Sequence, residues 1–565
     1  VAARTAEEVL PLVRRVEGMV DDGGLHAAGF LSYEAAPGFD SALRVRAAEG
    51  FPLAWFGLYR APEVLRELPA APPDACRLDS LAFCTPKADY LRAIADIRRA
   101  IRDGETYQVN HTVRLRGTID ADPWSCFLTL VEAQRAAYCA FVDIPGYAVV
   151  SASPESFFEL DGETIRCRPM KGTLSRGRWP EEDAAFRKRL ARSAKDRAEN
   201  VMIVDMVRND LGRIAETGSV RVERLFEVER YPTVWQLTST VAARTRQPLS
   251  EILRALFPSA SVTGAPKART MGLIAGLEDS PRGIYTGSIG FLSPGRRSQF
   301  NVAIRTLTVN KRDRVAEYGT GGGIVWDSVA EDEYRECEAK TAVLRTAVRP
   351  FSLLETLRWE PGKGYFLLEE HLARLTRSAE YFGYPAVAKD ALWAQLEALG
   401  AGLPAAVHKV RLLVDQRGEI SLEAEPLAPN GDAPVRLVLA REPVDPASVF
   451  LYHKTTRRDI YERARSASPG GDDVLLWNRQ GEVTETTIAN VVLDLEAAMV
   501  TPPLSSGLLP GIMREWLLRS GVVREKAVAV SDLVHCRRLW VVNSVRLWRA
   551  AEITPDATAR LTVVK

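Results

Sequence analysis

No apolar run in the 565 residues approaches the roughly 20 that span a bilayer, so no membrane segment is expected. Neither sign of charge is in excess. Lys and Arg number 74 against 73 Asp and Glu, a formal net charge of +1, which argues against general binding to nucleic acid or membrane surfaces. The seven cysteines (Cys76, Cys84, Cys126, Cys139, Cys167, Cys337 and Cys536) form no Cys-x-x-Cys pair. Neither a zinc site nor a disulfide framework is indicated, and a reducing, cytoplasmic setting fits best. The opening Val1-Ala2-Ala3-Arg4 does not read as a signal peptide. What is present is ordinary globular material, 46% hydrophobic and 26% charged. The length exceeds what one core organises, so two large domains or several small ones are expected.

Asp161-Gly162 stands between Phe157-Phe158-Glu159-Leu160 and Glu163-Thr164-Ile165-Arg166, a hairpin signal because a tight turn needs positive φ. The second arm runs past Pro169 and delivers Lys171 just before Gly172. A lysine at a strand end is a candidate nucleophile; alone, a solvated loop lysine is the better reading. Residues 29–34 and 52–59 read as buried strands, and residues 68–74, rich in Pro and Ala, as a surface loop. Leu91, Ile94, Ile97 and Ile101 make one apolar stripe of a helix over 86–103, stopped by Gly104. Gln108 and Asn110 then share one side of a strand.

Residues 180–213 read as one long charged helical region in which Asp196 and Glu199, three apart, share a face. Residues 330–344 read as another helix, with Glu333, Glu336 and Lys340 on one face. Opposed, the two faces would gather carboxylates that only a cation could neutralise, and oxygen ligands suit magnesium. Two solvated faces are the rival reading. The run Gly319-Thr320-Gly321-Gly322-Gly323 lets backbone amides approach an anion but lacks the Walker pattern.

Residues 29–345 resemble the chorismate-utilising enzymes, and within them the aminodeoxychorismate synthases. The likeness rests on Tyr107-Gln108-Val109-Asn110, Ser153-Pro154-Glu155, Pro169-Met170-Lys171-Gly172-Thr173 and the run from Glu199-Asn200 to Asn209-Asp210. It continues through Thr263-Gly264-Ala265-Pro266-Lys267 and ends with Glu333-Tyr334-Arg335-Glu336 and Lys340. Lys171 resembles the lysine of aminodeoxychorismate synthases, where anthranilate synthases carry alanine. Gln108 stands where isochorismate and salicylate synthases use a lysine base. Many relatives carry His where this chain has Gln236. The resemblance implies that Lys171 adds to the chorismate ring and expels the 4-hydroxyl, after which ammonia displaces the lysine at C4. It implies magnesium held by Glu199 and Glu336, with Asp196 and Glu333 outside them. Gln108, Thr263, Tyr285, Arg305, Gly323 and Lys340 would bind substrate. No cysteine has the flanking glycines of a glutaminase nucleophile, so ammonia from a separate glutamine amidotransferase subunit is implied.

From residue 351 the pattern changes. Leu372, Leu375, Ala379 and Phe382 stripe a helix on which Arg374 lies off the stripe, where an arginine is most often solvated. His453-Lys454-Thr455-Thr456 precedes a charged helix, residues 481–490 enter a Val-rich strand, and Pro510-Gly511-Ile512-Met513 opens a helix with free N–H groups for an anion. This half resembles the fold-type IV pyridoxal-phosphate enzymes, which include aminodeoxychorismate lyase and the branched-chain and D-amino-acid aminotransferases. The likeness implies pyridoxal 5'-phosphate on Lys454 as a Schiff base and Glu485 at the pyridinium nitrogen. Arg374 and the backbone of Ile512 and Met513 would hold the phosphate, with Asn490, Asn543 and Ser544 as further cofactor contacts. The expectation is an α+β chain, a chorismate-utilising fold over 1–347 and a fold-type IV domain over 351–565. It would aminate chorismate, then eliminate pyruvate to give 4-aminobenzoate for folate. An aminotransferase or a non-catalytic scaffold in the second half stays open.

Overall fold

The computed structural model describes residues 1–48, 50–69, 76, 78, 80–344, 350–495 and 498–554. Most of the loop expected over 68–74, and the domain end expected at 347, lie outside the described residues. The chain is α+β and divides into two units: Val1–Arg176 with Phe186–Arg349, and Gly177–Ala185 with Pro350–Lys565.

The first unit holds two mainly antiparallel sheets. In one, the hairpin of Ser156–Asp161 and Thr164–Arg168 turns at Gly162, whose φ of 58° is the positive angle that Asp-Gly supplies. Val234–Arg244 pairs with the second arm and, further along the same edge, with Met170–Ser175, the strand of Lys171; Arg221–Arg230 pairs with its other edge. In the other sheet Gln108–Thr118 pairs from Val109 onward with Val315–Ile324, setting Asn110 opposite Gly323, and Gln108 itself pairs with Ala265. The helix Lys87–Arg102 buries Tyr90, Ile94 and Ile97 against Tyr334 and Cys337 of the helix Ala330–Thr341. Burial of each such side chain contributes about 1.5–3 kcal/mol. That packing fixes the acidic helix beside the glycine-rich strand.

Two expectations are corrected here. The region 180–213 is two helices, Pro180–Arg192 and Ala194–Gly212, because Ser193 breaks off and caps the second by accepting the Asp196 N–H (3.3 Å). Cys76 and Cys126 form a disulfide across 50 residues, a pairing that only the tertiary fold brings together.

The second unit has a four-stranded sheet around Leu353–Glu360 and a larger sheet whose Val483–Thr486 and Asn490–Leu495 close it through Glu485 opposite Asn490. Leu372, Leu375 and Ala379 bury the helix Leu368–Phe382 on the smaller sheet, with Leu353, Leu357 and Val410. No helix among the described residues is long and apolar enough to cross a membrane.

Candidate active sites

Three glycines create the first site. Gly321, Gly322 and Gly323 present bare backbone to side chains from both sheets and from the acidic helix. A Cβ on Gly323 would stand 2.8 Å from Lys171 Nζ and 2.7 Å from Gln108 Nε2, and one on Gly322 would stand 3.2 Å from Glu333 Oε2. Only glycine leaves that space open. Lys340 donates to the Gly321 carbonyl and to Glu336, both at 2.7 Å. Gln108 is buried, and neither of its amide atoms has a hydrogen-bond partner among the described residues, which is rare for a buried polar group.

Burial pulls the Lys171 ammonium pKa below the usual lysine value; Glu199 opposes that pull and Lys340 adds to it. Asn200 Nδ2 donates to the Lys171 carbonyl (3.4 Å), while its Oδ1 accepts from Ser239 (2.6 Å), tying the lysine strand to the helix Ala194–Gly212. Thr173 donates to Gln236 (2.8 Å), which is where the glutamine standing in place of histidine is spent. Glu155 escaped the sequence reading although its motif was in view. It is buried, donated to by Ser261 (2.6 Å), and burial pushes its pKa up to about 7, with Lys171 close enough to oppose the rise. Its buried setting is a tertiary property with no local sequence signal.

Three of the expected substrate residues have partners of their own within the fold. Thr263 spends its hydroxyl on the Ser259 carbonyl (3.1 Å), and Tyr285 packs against Gly319 and under Arg114, whose guanidinium is 5.3 Å from the ring. Arg305 donates to the Lys340 carbonyl at the end of the acidic helix.

The acidic donors have the right chemistry for a hard cation. Burial raises the Glu199 and Glu333 pKa values, and Asp196 and Glu336 add to the rise at Glu199. Asp196 lies against Gly172, beside the lysine. Yet among the described residues no three such groups converge into a metal-holding set, and Glu336 is paired with Lys340. The expected cluster is therefore present as neighbours, not as a formed cage.

The second site centres on Lys454, whose pKa burial lowers to about 8, helped by Arg374 and Arg458. Glu485 is buried and pushed up to about 8, and three donors hold its carboxylate: Tyr461 Oη (2.9 Å), the Leu509 N–H (3.1 Å) and Asn490 Nδ2 (3.2 Å). Asn490 thus orients Glu485. Asn543 is committed to a turn, its Oδ1 accepting from the N–H groups of Val545 (3.0 Å) and Arg546 (2.7 Å), and Ser544 is buried beside it.

Arg374 is buried, not solvated. Its Nε and Nη2 donate to Glu355 (2.8 and 2.6 Å), and its Nη1 donates to the Pro510 carbonyl (2.9 Å), which places it at the start of the helix Ile512–Arg519. His371 completes the group, Nδ1 lying 2.6 Å from Glu355 while its buried Nε2 has no partner among the described residues. Despite burial, Arg374 and His371 hold the Glu355 pKa down to about 2. A folded value below the unfolded one stabilises at neutral pH, and that contribution is lost as pH falls from about 4.5 towards about 2. Glu355→Gln would leave a buried guanidinium unpaired and should cost about 3–5 kcal/mol. Thermal unfolding of the full chain reads that loss.

The donor set suits pyridoxal phosphate. An enclosed low-pKa lysine, an oriented carboxylate, a buried arginine and an uncapped helix start at Ile512 and Met513 match its aldehyde, ring nitrogen and phosphate.

These two sites fall within two family matches. Residues 3–346 match the chorismate binding enzymes, and the chain belongs to that family. Residues 352–553 match the class IV amino-transferases. Aminodeoxychorismate synthase component 1 of Escherichia coli (strain K12) is 44% identical over 252 residues, 44% of this chain and 55% of that protein. Aminodeoxychorismate synthase of Streptomyces griseus is 41% identical over 310 residues, 54% of this chain and 41% of that protein. Among solved structures, anthranilate synthase component I from Streptococcus pneumoniae is similar with a TM-score of 0.52 and 26% identity, covering 60% of this chain and 85% of that one. The chain spans about half the length of the curated relatives it matches.

Proposed function

We propose that the chain makes 4-aminobenzoate in two steps, amination of chorismate at the Lys171 site and elimination of pyruvate at the Lys454 site. The observation that carries the first step is the meeting of Lys171, Gln108 and bare Gly323 backbone, around an amine whose pKa is lowered. The lysine distinguishes this site from anthranilate synthases and Gln108 distinguishes it from isochorismate synthases, as the motifs imply.

Neutral Lys171 forms a bond to the chorismate ring as the allylic C4–O bond breaks. Glu155, whose pKa burial raises to about 7, supplies the proton with which the hydroxyl leaves as water. Ammonia then bonds to C4, the Lys171–ring bond breaks, and the proton shed by nitrogen returns to the buried carboxylate. Gln108 offers amide hydrogen bonds to the substrate, and Arg305 and the glycine backbone bind its carboxylates. Magnesium, held by Glu199 and Glu336 with Asp196 and Glu333 behind them, would neutralise a substrate carboxylate. A separate glutamine amidotransferase would supply the ammonia.

At the second site Lys454 would bear pyridoxal phosphate, which supplies an electron sink when bound. Glu485 would pair with its ring nitrogen, and Arg374 and the start of the helix Ile512–Arg519 would hold its phosphate. The Lys454 amine, once free, takes the proton from ring C4 of the aminated product; the ring C–O bond breaks as the ring aromatises, and the departing enolpyruvate takes a proton at its methylene carbon to become pyruvate. The class IV amino-transferase match keeps transamination as the alternative chemistry for this half. Amino transfer to a 2-oxo acid without pyruvate release would establish that alternative.

Glu336→Gln tests the metal assignment. A neutral amide is a poor ligand for a hard cation, so the magnesium concentration giving half-maximal amination should rise roughly tenfold or more. Unchanged dependence would mean that the acidic helix is ordinary solvated surface.

A further inference from the structure

The second unit is not continuous in sequence. Besides Pro350–Lys565 it includes Gly177–Ala185, a stretch that lies inside the chorismate-family match. These residues fold on themselves. The Gly177 N–H donates to Asp183 Oδ1 (2.9 Å), and a Cβ on Gly177 would collide with the Asp183 backbone. Glu182 accepts from the Arg178 N–H (2.6 Å) and its guanidinium (2.9 Å), and Pro180 starts the helix that follows.

The turn is spent on the residues just before Lys454. The rings of Trp179 and Tyr452 lie 5.1 Å apart, and Trp179 packs on the buried cluster of Val444, Leu451 and Tyr461. Arg178, 4.7 Å from the Trp179 ring, donates to the Tyr452 hydroxyl (3.2 Å) and the Pro446 carbonyl (3.4 Å). Tyr381 donates to the Gly177 carbonyl in a buried bond of 2.7 Å, and its ring lies 4.3 Å from the imidazole of His453. Tyr452 and His453 are buried and immediately precede Lys454, whose own carbonyl accepts from the Leu354 N–H (2.9 Å).

We propose that Gly177–Ala185 is a positioning element for Lys454, fixing through Trp179, Arg178 and the Gly177 carbonyl the two residues that lead into the lysine. A chance surface contact would not bring an aromatic ring contact, a guanidinium bond and a buried hydroxyl bond onto the tripeptide Gly177-Arg178-Trp179. Lys454 remains the residue that reacts; the element sets where its amine stands, and small misplacements of a reacting group are costly. Residues 350–565 alone would accordingly be an incomplete second unit.

The proposal rests on the reading of Lys454 as the amine that bears pyridoxal phosphate, and the test separates the two. Arg178→Ala, Trp179→Ala and Tyr381→Phe are made in the full chain, with Arg178→Lys and Trp179→Phe as conservative partners. Pyridoxal phosphate is titrated into each, and the pH midpoint of the bound cofactor's absorbance is measured. The alanine variants should bind about tenfold more weakly and shift the midpoint by about half a pH unit or more, Tyr381→Phe should move both less, and the conservative variants should recover. Trp179→Ala is the one change that threatens folding; Tyr381→Phe removes a single hydroxyl and decides the matter if that variant misfolds. Affinity and midpoint equal to the parent in Tyr381→Phe and Arg178→Ala would overturn the proposal. A parent chain that takes up no pyridoxal phosphate would instead overturn the reading of Lys454.

Discussion

Lys171→Ala should abolish the ammonia-dependent loss of chorismate, by three orders of magnitude or roughly so, while the chain stays folded. The strand Met170–Ser175 is held by backbone pairing with Val234–Arg244 and by the Asn200 bond to the Lys171 carbonyl, and alanine keeps both. The side chain is only partly buried and adds little packing. What alanine removes is the low-pKa amine facing Gly323 and Gln108. Full turnover with ammonia in this variant would remove the covalent route from the account, whatever the metal requirement.

Lys454→Ala should separate the two steps. Pyruvate release collapses, because the amine that takes the ring proton is gone. Lys171 belongs to the other unit, with its own cores, so chorismate should still be consumed and the aminated intermediate should accumulate. A separate intact lyase, added afterwards, should convert that intermediate to 4-aminobenzoate. Loss of chorismate consumption in a folded variant would contradict the assignment of one lysine to each step.

Much of this was legible because the signals are local. Asp161-Gly162 turned where positive φ was required, and the Ile94 and Ile97 stripe set the helix Lys87–Arg102. Lys171, Gln108 and Gly323, far apart in sequence, were named from motif resemblance and lie together in the fold. What sequence could not supply is long-range partnership. Arg374 looked like a solvated arginine because its stripe position says nothing of Glu355, which a strand brings beneath it. Asn490 is named from the resemblance as a cofactor contact, and only the closed sheet shows that it stands opposite Glu485 and donates to that carboxylate. Asn543 reads the same in a turn as in a site until the Val545 and Arg546 amides are seen to use its oxygen. The spacing of the acidic faces leaves open whether they meet or are solvated, and the pairing of Glu336 with Lys340 depends on side-chain choices that spacing does not determine.

The most direct measurement is product analysis. The full chain is supplied with chorismate, ammonium, magnesium and pyridoxal phosphate, and every product is quantified over time. 4-Aminobenzoate and pyruvate should appear in equal amounts, matching the chorismate lost, with the nitrogen of labelled ammonium on the ring carbon that bore the hydroxyl. Anthranilate, isochorismate or unconsumed chorismate would contradict the Lys171 assignment, and persistent aminated intermediate without pyruvate would contradict that of Lys454.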